Sequence, residues 1–220
     1  MNKTRSHLKE SDHDDCDYIS LHDYDLLVEL LNLCLPQRRS CEISKLLLNE
    51  KKTLPRAISA DRNTLDRIGV PRCAQEIFII FRKTIAATLR RSAVNPFQLN
   101  GWSSLIDYLH VSMAHNEYEH LRVLFLDNNN NLVADEVMSE GTVNQVAIYT
   151  RDIVKRALEL NATSLIMAHN HPSGSVKPSR DDIQMTNLVR DATRVLGIVL
   201  HDHVIISDRE CSSFRALGLL

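Results

Sequence analysis

The stretch "SLIMAHNHPSGSVKPSRDD", Ser164 to Asp182, holds the residues whose types could do chemistry. Four apolar residues run into His169, Asn170 and His171, and Pro172 and Gly174 then break the chain. In an extended strand, side chains at i and i+2 point to the same side. His169 and His171 can therefore aim both imidazoles at one point, roughly 6–7 Å apart at their bases. Imidazole is a common zinc ligand, and a third donor is then required. Asp182 is the candidate, in the first turn of the next expected helix, where a carboxylate is favoured. Ser179-x-x-Asp182 is also a capping-box-like pattern, which accounts for both residues without a metal. The two roles are compatible, because a capping Ser179 would fix Asp182 towards the metal.

Two histidines and one aspartate leave an open position on tetrahedral zinc, as in catalytic rather than structural sites. The fourth ligand would be a water, its pKa lowered towards neutrality. Hydrolysis then needs a carboxylate that is not a ligand, to move the water's proton to the leaving amine. Glu117, Glu119, Glu136 and Glu140 all lie upstream, and spacing does not choose among them.

The elements that must position these residues fall into two textures. From Leu21 to Arg91 the pattern is helical, four or five short helices, with "DYDLLVELLNLCL" stopping at Pro36. Proline, glycine and asparagine gather near 92–102, which marks a linker. Beyond it, "WSSLIDYLHVSMA" predicts a helix. "EHLRVLFLD" and "LVADEVMSEGT" predict strands about an Asn-rich turn. A helix over "TRDIVKRALELNA", a third strand ending at the histidines, a helix over "SRDDIQMTNLVRDATRVLG" and a fourth strand "IVLHDHVIIS" follow. The final "FRALGLL" reads as a short terminal segment. Strands alternating with helices imply a layered α/β domain.

The chain of 220 residues, 44% hydrophobic and 25% charged, is long enough to build a core without disulfides or structural metals. Its five cysteines are widely spaced and odd in number, which predicts reduced thiols and a cytoplasmic protein. The start has no apolar signal region, and no apolar run reaches membrane-spanning length. Residues 1–20 are polar and acidic and read as a flexible tail. The charge is uneven: residues 36–91 hold thirteen Lys/Arg against five Asp/Glu, a net +8, while the whole chain carries −2. That asymmetry points weakly to a nucleic-acid-facing part, and equally to solvated helix faces.

"HNHPSGSVKPSRDD" resembles the JAMM/MPN+ metalloprotease signature, with His169, His171, Ser179 and Asp182 at the matching positions. With "RDIVKRALELNATSLIMAHNHPSGSVKPSRDD" and "LGIVLHDHVIIS", the chain from Leu21 to Leu220 resembles the RadC family of bacterial JAB-domain proteins. The resemblance implies zinc held by His169, His171 and Asp182. It also implies that Ser179 hydrogen-bonds near the tetrahedral intermediate, and that Glu119 is the catalytic carboxylate. The implied fold is a small helix-hairpin-helix-like domain over 21–95, then an α-β-α layered JAB/MPN domain over 100–220 related to cytidine deaminases.

Other residues carry weaker expectations. His201 and His203 flank Asp202 in the fourth strand and read as core or edge histidines. A contact to a ligand is the alternative, and family resemblance singles out His203. His110, His115 and His120 read as surface residues. In the helical part, "IGVPRCA" stands where a Gly-x-Gly turn would offer amides to a DNA phosphate, but Pro71 replaces the second glycine. The leading expectation is a zinc-dependent hydrolase of a peptide or protein substrate at an amide or isopeptide bond. The alternatives are a DNA-repair-associated protein touching DNA through its helices, and a metal-binding scaffold without catalysis.

Overall fold

The computed structural model describes residues 21–92, 101–141 and 150–220. The expected tail, 1–20, and the linker residues 93–100 lie outside the described residues.

Five helices come first: α1 (Leu21–Asn32), α2 (Gln37–Lys51), α3 (Leu54–Ile58), α4 (Arg62–Ile68) and α5 (Arg72–Ser92). Their ends follow local chemistry. Pro36 precedes α2 in an extended conformation, and Asp61 caps α4 by accepting from the Thr64 amide at 2.9 Å. Gly69 ends α4 at φ +84, a left-handed conformation that suits glycine. The Gly69 and Val70 amides are spent on α4 carbonyls at 3.1 and 2.9 Å, and Pro71 has no amide to offer. Leu27, Leu31, Ile43, Leu47, Leu65, Ala74 and Phe78 recur at helical spacing and form the core of this part.

Next come α6 (Gly101–Leu109) and a π-helical turn (His110–Ala114), together spanning the expected helix. A mixed sheet follows in the order β2-β1-β3-β4-β5. Its strands are β1 (Glu119–Leu126), β2 (Leu132–Gly141), β3 (Ser164–Asn170), β4 (Val199–Ile206) and β5 (Cys211–Ser213). The first two form a hairpin whose turn is fixed by Asp127, which accepts the Asn129 and Asn131 amides at 2.8 Å each. The third strand is antiparallel to the first and parallel to the fourth, with α8 (Arg180–Arg194) between them. The fifth strand was not expected: three residues pair back on β4 as a short edge.

Both faces of the sheet are covered, which makes the architecture mixed α/β with a helical N-terminal region. Leu124, Leu126, Ile166, Ala168, Val204 and Ile206 pack under α6 and the π turn. Leu121, Val123, Phe125, Leu165 and Met167 pack under α7 (Thr150–Glu159) and α8. The β3–β4 register slips by one at His201, so Leu165 pairs with Leu200 but Ile166 with Asp202. Such a slip exchanges the two faces for every later residue of β4. It brings His203 to the α8 face, the face that carries His169. No described helix is long and apolar enough to cross a membrane, and Cys34, Cys41, Cys73 and Cys211 are free thiols.

One buried ion pair ties the hairpin to α6. Arg122 Nη1 lies 2.6 Å from Asp135 Oδ1, their side chains 16% and 2% exposed, and the Tyr108 hydroxyl also bonds Asp135. Burial and the Asp135 charge push the Tyr108 hydroxyl well above its ordinary pKa. Removing one partner of such a pair strands the other charge. Asp135→Ala should lower stability in a urea melt by about 3–5 kcal/mol, whereas a loss under about 1 kcal/mol would mean the pair behaves like a surface one.

Candidate metal centre

β3 is buried along its whole length, which delivers His169 to the rim of the sheet. His171 lies one step beyond, its amide still bonded to the Ile206 carbonyl at 2.8 Å. Gly174, at φ +86, then turns the chain so that the Ser175 carbonyl meets His171 Nδ1 at 2.6 Å. That carbonyl can only accept, so His171 keeps a proton on Nδ1 and directs Nε2 into the site. The loop is held from below by Ser212 Oγ, which donates to the Val176 carbonyl at 2.6 Å.

The loop ends in a complete capping box on α8. Ser179 Oγ accepts the Asp182 amide at 3.1 Å, and Asp182 Oδ2 accepts the Ser179 amide at 2.7 Å. This fixes the carboxylate over the strand end. Asp182 Oδ1 lies 3.3 Å from His169 Nε2, and Oδ2 lies 3.6 Å from His171 Nε2. The two Nε2 atoms are 2.8 Å apart. His169, His171 and Asp182 therefore offer three ligand atoms within 4.8 Å of one another, a possible metal site.

The donor set fits a cation. Burial alone would favour the neutral form of Asp182. The close His169 and His171 rings and the Ser179 amide overcome it and hold the carboxyl far below the usual range. The neighbouring Asp182 carboxylate raises the His171 pKa against the effect of burial, with the Ser175 carbonyl and the Glu119 charge assisting. Two imidazole nitrogens that meet head to head beside a carboxylate form a cluster that a cation would bridge. Two nitrogens and one oxygen suit a divalent transition metal such as zinc.

The β1–β3 register shows how Glu119 approaches. Leu121 pairs with His169 at the end of the ladder, and Glu119 lies two residues earlier on the same face of β1, near enough for its charge to act on His171. The segment before β1 is clamped by Asn170, fully buried between the two histidines. Asn170 Oδ1 accepts the His120 amide at 2.9 Å, and Nδ2 donates to the Tyr118 and Asn116 carbonyls at 2.9 and 3.3 Å. Glu117 is engaged elsewhere, with Lys51 and Asp61, and burial followed by Asp61 raises its pKa. Glu136 is held by Arg156 at 2.7 Å on β2. The side chain of Glu140 lies outside the described residues.

The other histidines divide sharply. His203 is fully buried, stacks on Phe214 at 4.6 Å, and places Nε2 2.7 Å from His169 Nδ1. It is thus both a core histidine and a contact to a candidate ligand. His201 sits at the register slip and bonds Asn130 at 3.0 Å, away from the centre. His110, His115 and His120 are not surface residues but half-buried, the π turn that carries His110 packing against α5. Burial lowers the pKa of His110 and His115. His115 lines a cavity of about 330 Å³ beside His171, whose walls include Lys51, Arg56, Glu117 and Asp208. Arg56 bridges to Asp208 at 2.8 Å, so the helical part forms one wall of this opening. Asn170 and Thr186, whose Oγ1 lies 2.6 Å from His203 Nδ1, are contributors that the sequence did not single out. Asn170 was readable only as the spacer of H-x-H, and Thr186 only as an ordinary helix residue.

Comparison with known proteins agrees with this architecture. The model of the RadC-like JAB domain matches residues 99–219. A UPF0758 protein of Rhodobacter capsulatus is 43% identical over 205 residues, covering 91% of this chain and 94% of the relative. A UPF0758 protein of Ruegeria pomeroyi is 40% identical over 205 residues, covering 91% and 90%. Similarity of this depth, running through both the helices and the sheet, makes the chain a member of the RadC (UPF0758) family of JAB-domain proteins.

Proposed function

We propose that this protein is a zinc-dependent hydrolase of the JAMM type that cleaves amide or isopeptide bonds in a peptide or protein substrate. The observation that carries the proposal is the convergence of His169 Nε2, His171 Nε2 and the Asp182 carboxylate, with Glu119 at the start of the neighbouring strand. His169, His171 and Asp182 would hold the ion, which supplies a Lewis acid that makes water nucleophilic near neutral pH. Glu119 takes the proton of the attacking water and passes it to the leaving amine. Ser179 Oγ already accepts the Asp182 amide, so its own hydroxyl proton is left to donate to the substrate oxygen. The cavity beside His171 gives the substrate a path to the centre. The free thiols support a cytoplasmic setting.

A second reading is that the helical region contacts DNA. The net +8 over residues 36–91 supports it. Against it, Arg56 and Arg67 are neutralised by Asp208 and Glu50 at 2.8 and 2.6 Å, and the turn after α4 has its first two amides occupied. It expects the full chain to retard duplex DNA at low salt, with a steep loss as salt rises. No retardation removes it.

The metal assignment is tested by elemental analysis of the purified full chain. Wild type should carry about one zinc, and His169→Ala or Asp182→Ala should lose it. Equal zinc in all three contradicts the site. Glu119→Gln should keep zinc yet lose about 10²–10⁴ in hydrolysis. A substrate can be found by comparing peptides released from a lysate by wild type and by this variant. Release by neither, with zinc bound, would favour a non-catalytic scaffold. Ser179→Ala should cost about 1 kcal/mol of stability through its cap and also slow hydrolysis; unchanged turnover would leave Ser179 with the capping role alone.

A further inference from the structure

An unbroken chain of hydrogen bonds runs behind the centre, from α8 across β4 to β3. Thr186 Oγ1 lies 2.6 Å from the Asp182 carbonyl and 2.6 Å from His203 Nδ1. His203 Nε2 lies 2.7 Å from His169 Nδ1. A hydroxyl carries one proton, and a carbonyl can only accept. Thr186 therefore donates to Asp182 and can only accept from His203, so His203 carries its proton on Nδ1. The His203 ring is fully buried against Phe214, where a charged imidazole is disfavoured. A neutral ring protonated at Nδ1 is an acceptor at Nε2, so His169 must donate from Nδ1. His169 Nε2 is then bare, and it is the atom that faces His171 and Asp182.

We propose that Thr186 and His203 are positioning residues that lock His169 in its Nδ1–H form, presenting Nε2 to a metal held with Asp182. This deepens the metal-centre proposal and rests on it. Thr186 lies one turn after Asp182 on α8, so the hydroxyl that sets the tautomer of one ligand is anchored on the backbone of another. The strand ligand and the helix ligand are thereby fixed together. The slip at His201 makes this possible, since without it His203 would face the opposite layer.

The test combines zinc competition against a chromophoric chelator with nitrogen-15 spectra of the histidine rings, both on the full chain. Thr186→Val keeps the side-chain shape but removes the hydroxyl, and should weaken zinc binding about 10–100-fold. Thr186→Ser should restore it. In wild type, with or without zinc, His203 should show the pattern of a neutral ring protonated at Nδ1, and His169 a ring protonated at Nδ1. Zinc binding by Thr186→Val equal to wild type, or a His203 ring protonated at Nε2, overturns the proposal. The spectrum needs no substitution, so it decides even where a variant fails to fold. If wild type takes up no zinc, the metal centre itself fails, while the His203 spectrum still reports on the relay.

Discussion

His169 Nε2 and His171 Nε2 meet at 2.8 Å beside the Asp182 carboxylate, 3.3 and 3.6 Å away. Each ring already has its outer nitrogen engaged, one by the Ser175 carbonyl and the other by His203. What remains is a cluster of three ligand atoms within 4.8 Å at the end of a buried strand. A cation would join the three groups, and much of the surrounding structure keeps them together. The loop after β3 turns at a glycine, α8 starts on a capping box, and Asp182 is a member of both the cap and the centre.

The sheet carries this constraint outwards. Full burial leaves β3 little freedom to slide, and its pairing with β1 runs up to Leu121 and His169, two residues short of Glu119. Asn170 then fastens the segment ahead of β1 with three hydrogen bonds from one side chain. The tripeptide His169-Asn170-His171 thus serves both faces. Its histidines face α8, and its asparagine faces the chain that carries the proposed base. The helical region completes the surroundings by lining the opening with Lys51 and Arg56.

Much of this was readable in the sequence wherever it depended on local spacing. The two-residue period of a strand is enough to place His169 and His171 together, and the Ser179-x-x-Asp182 pattern is enough to start a helix there. The helices and the four longer strands follow from their periodicities in the same way. Glu119 was separated from Glu117, Glu136 and Glu140 only by family resemblance, because its approach depends on the β1–β3 register, a non-local pairing. His203 could not be placed because one slipped residue at His201 reverses which face it occupies. Three residues of β5 are too few to show a period. His110 and His115 looked like surface residues because what covers them comes from a distant part of the chain.

The most direct measurement is X-ray absorption at the zinc edge of the zinc-loaded full chain. The account predicts scattering from two imidazole rings, with the remaining ligands oxygen and none of the free thiols bound. A sulfur ligand at about 2.3 Å, or a single imidazole, would contradict it.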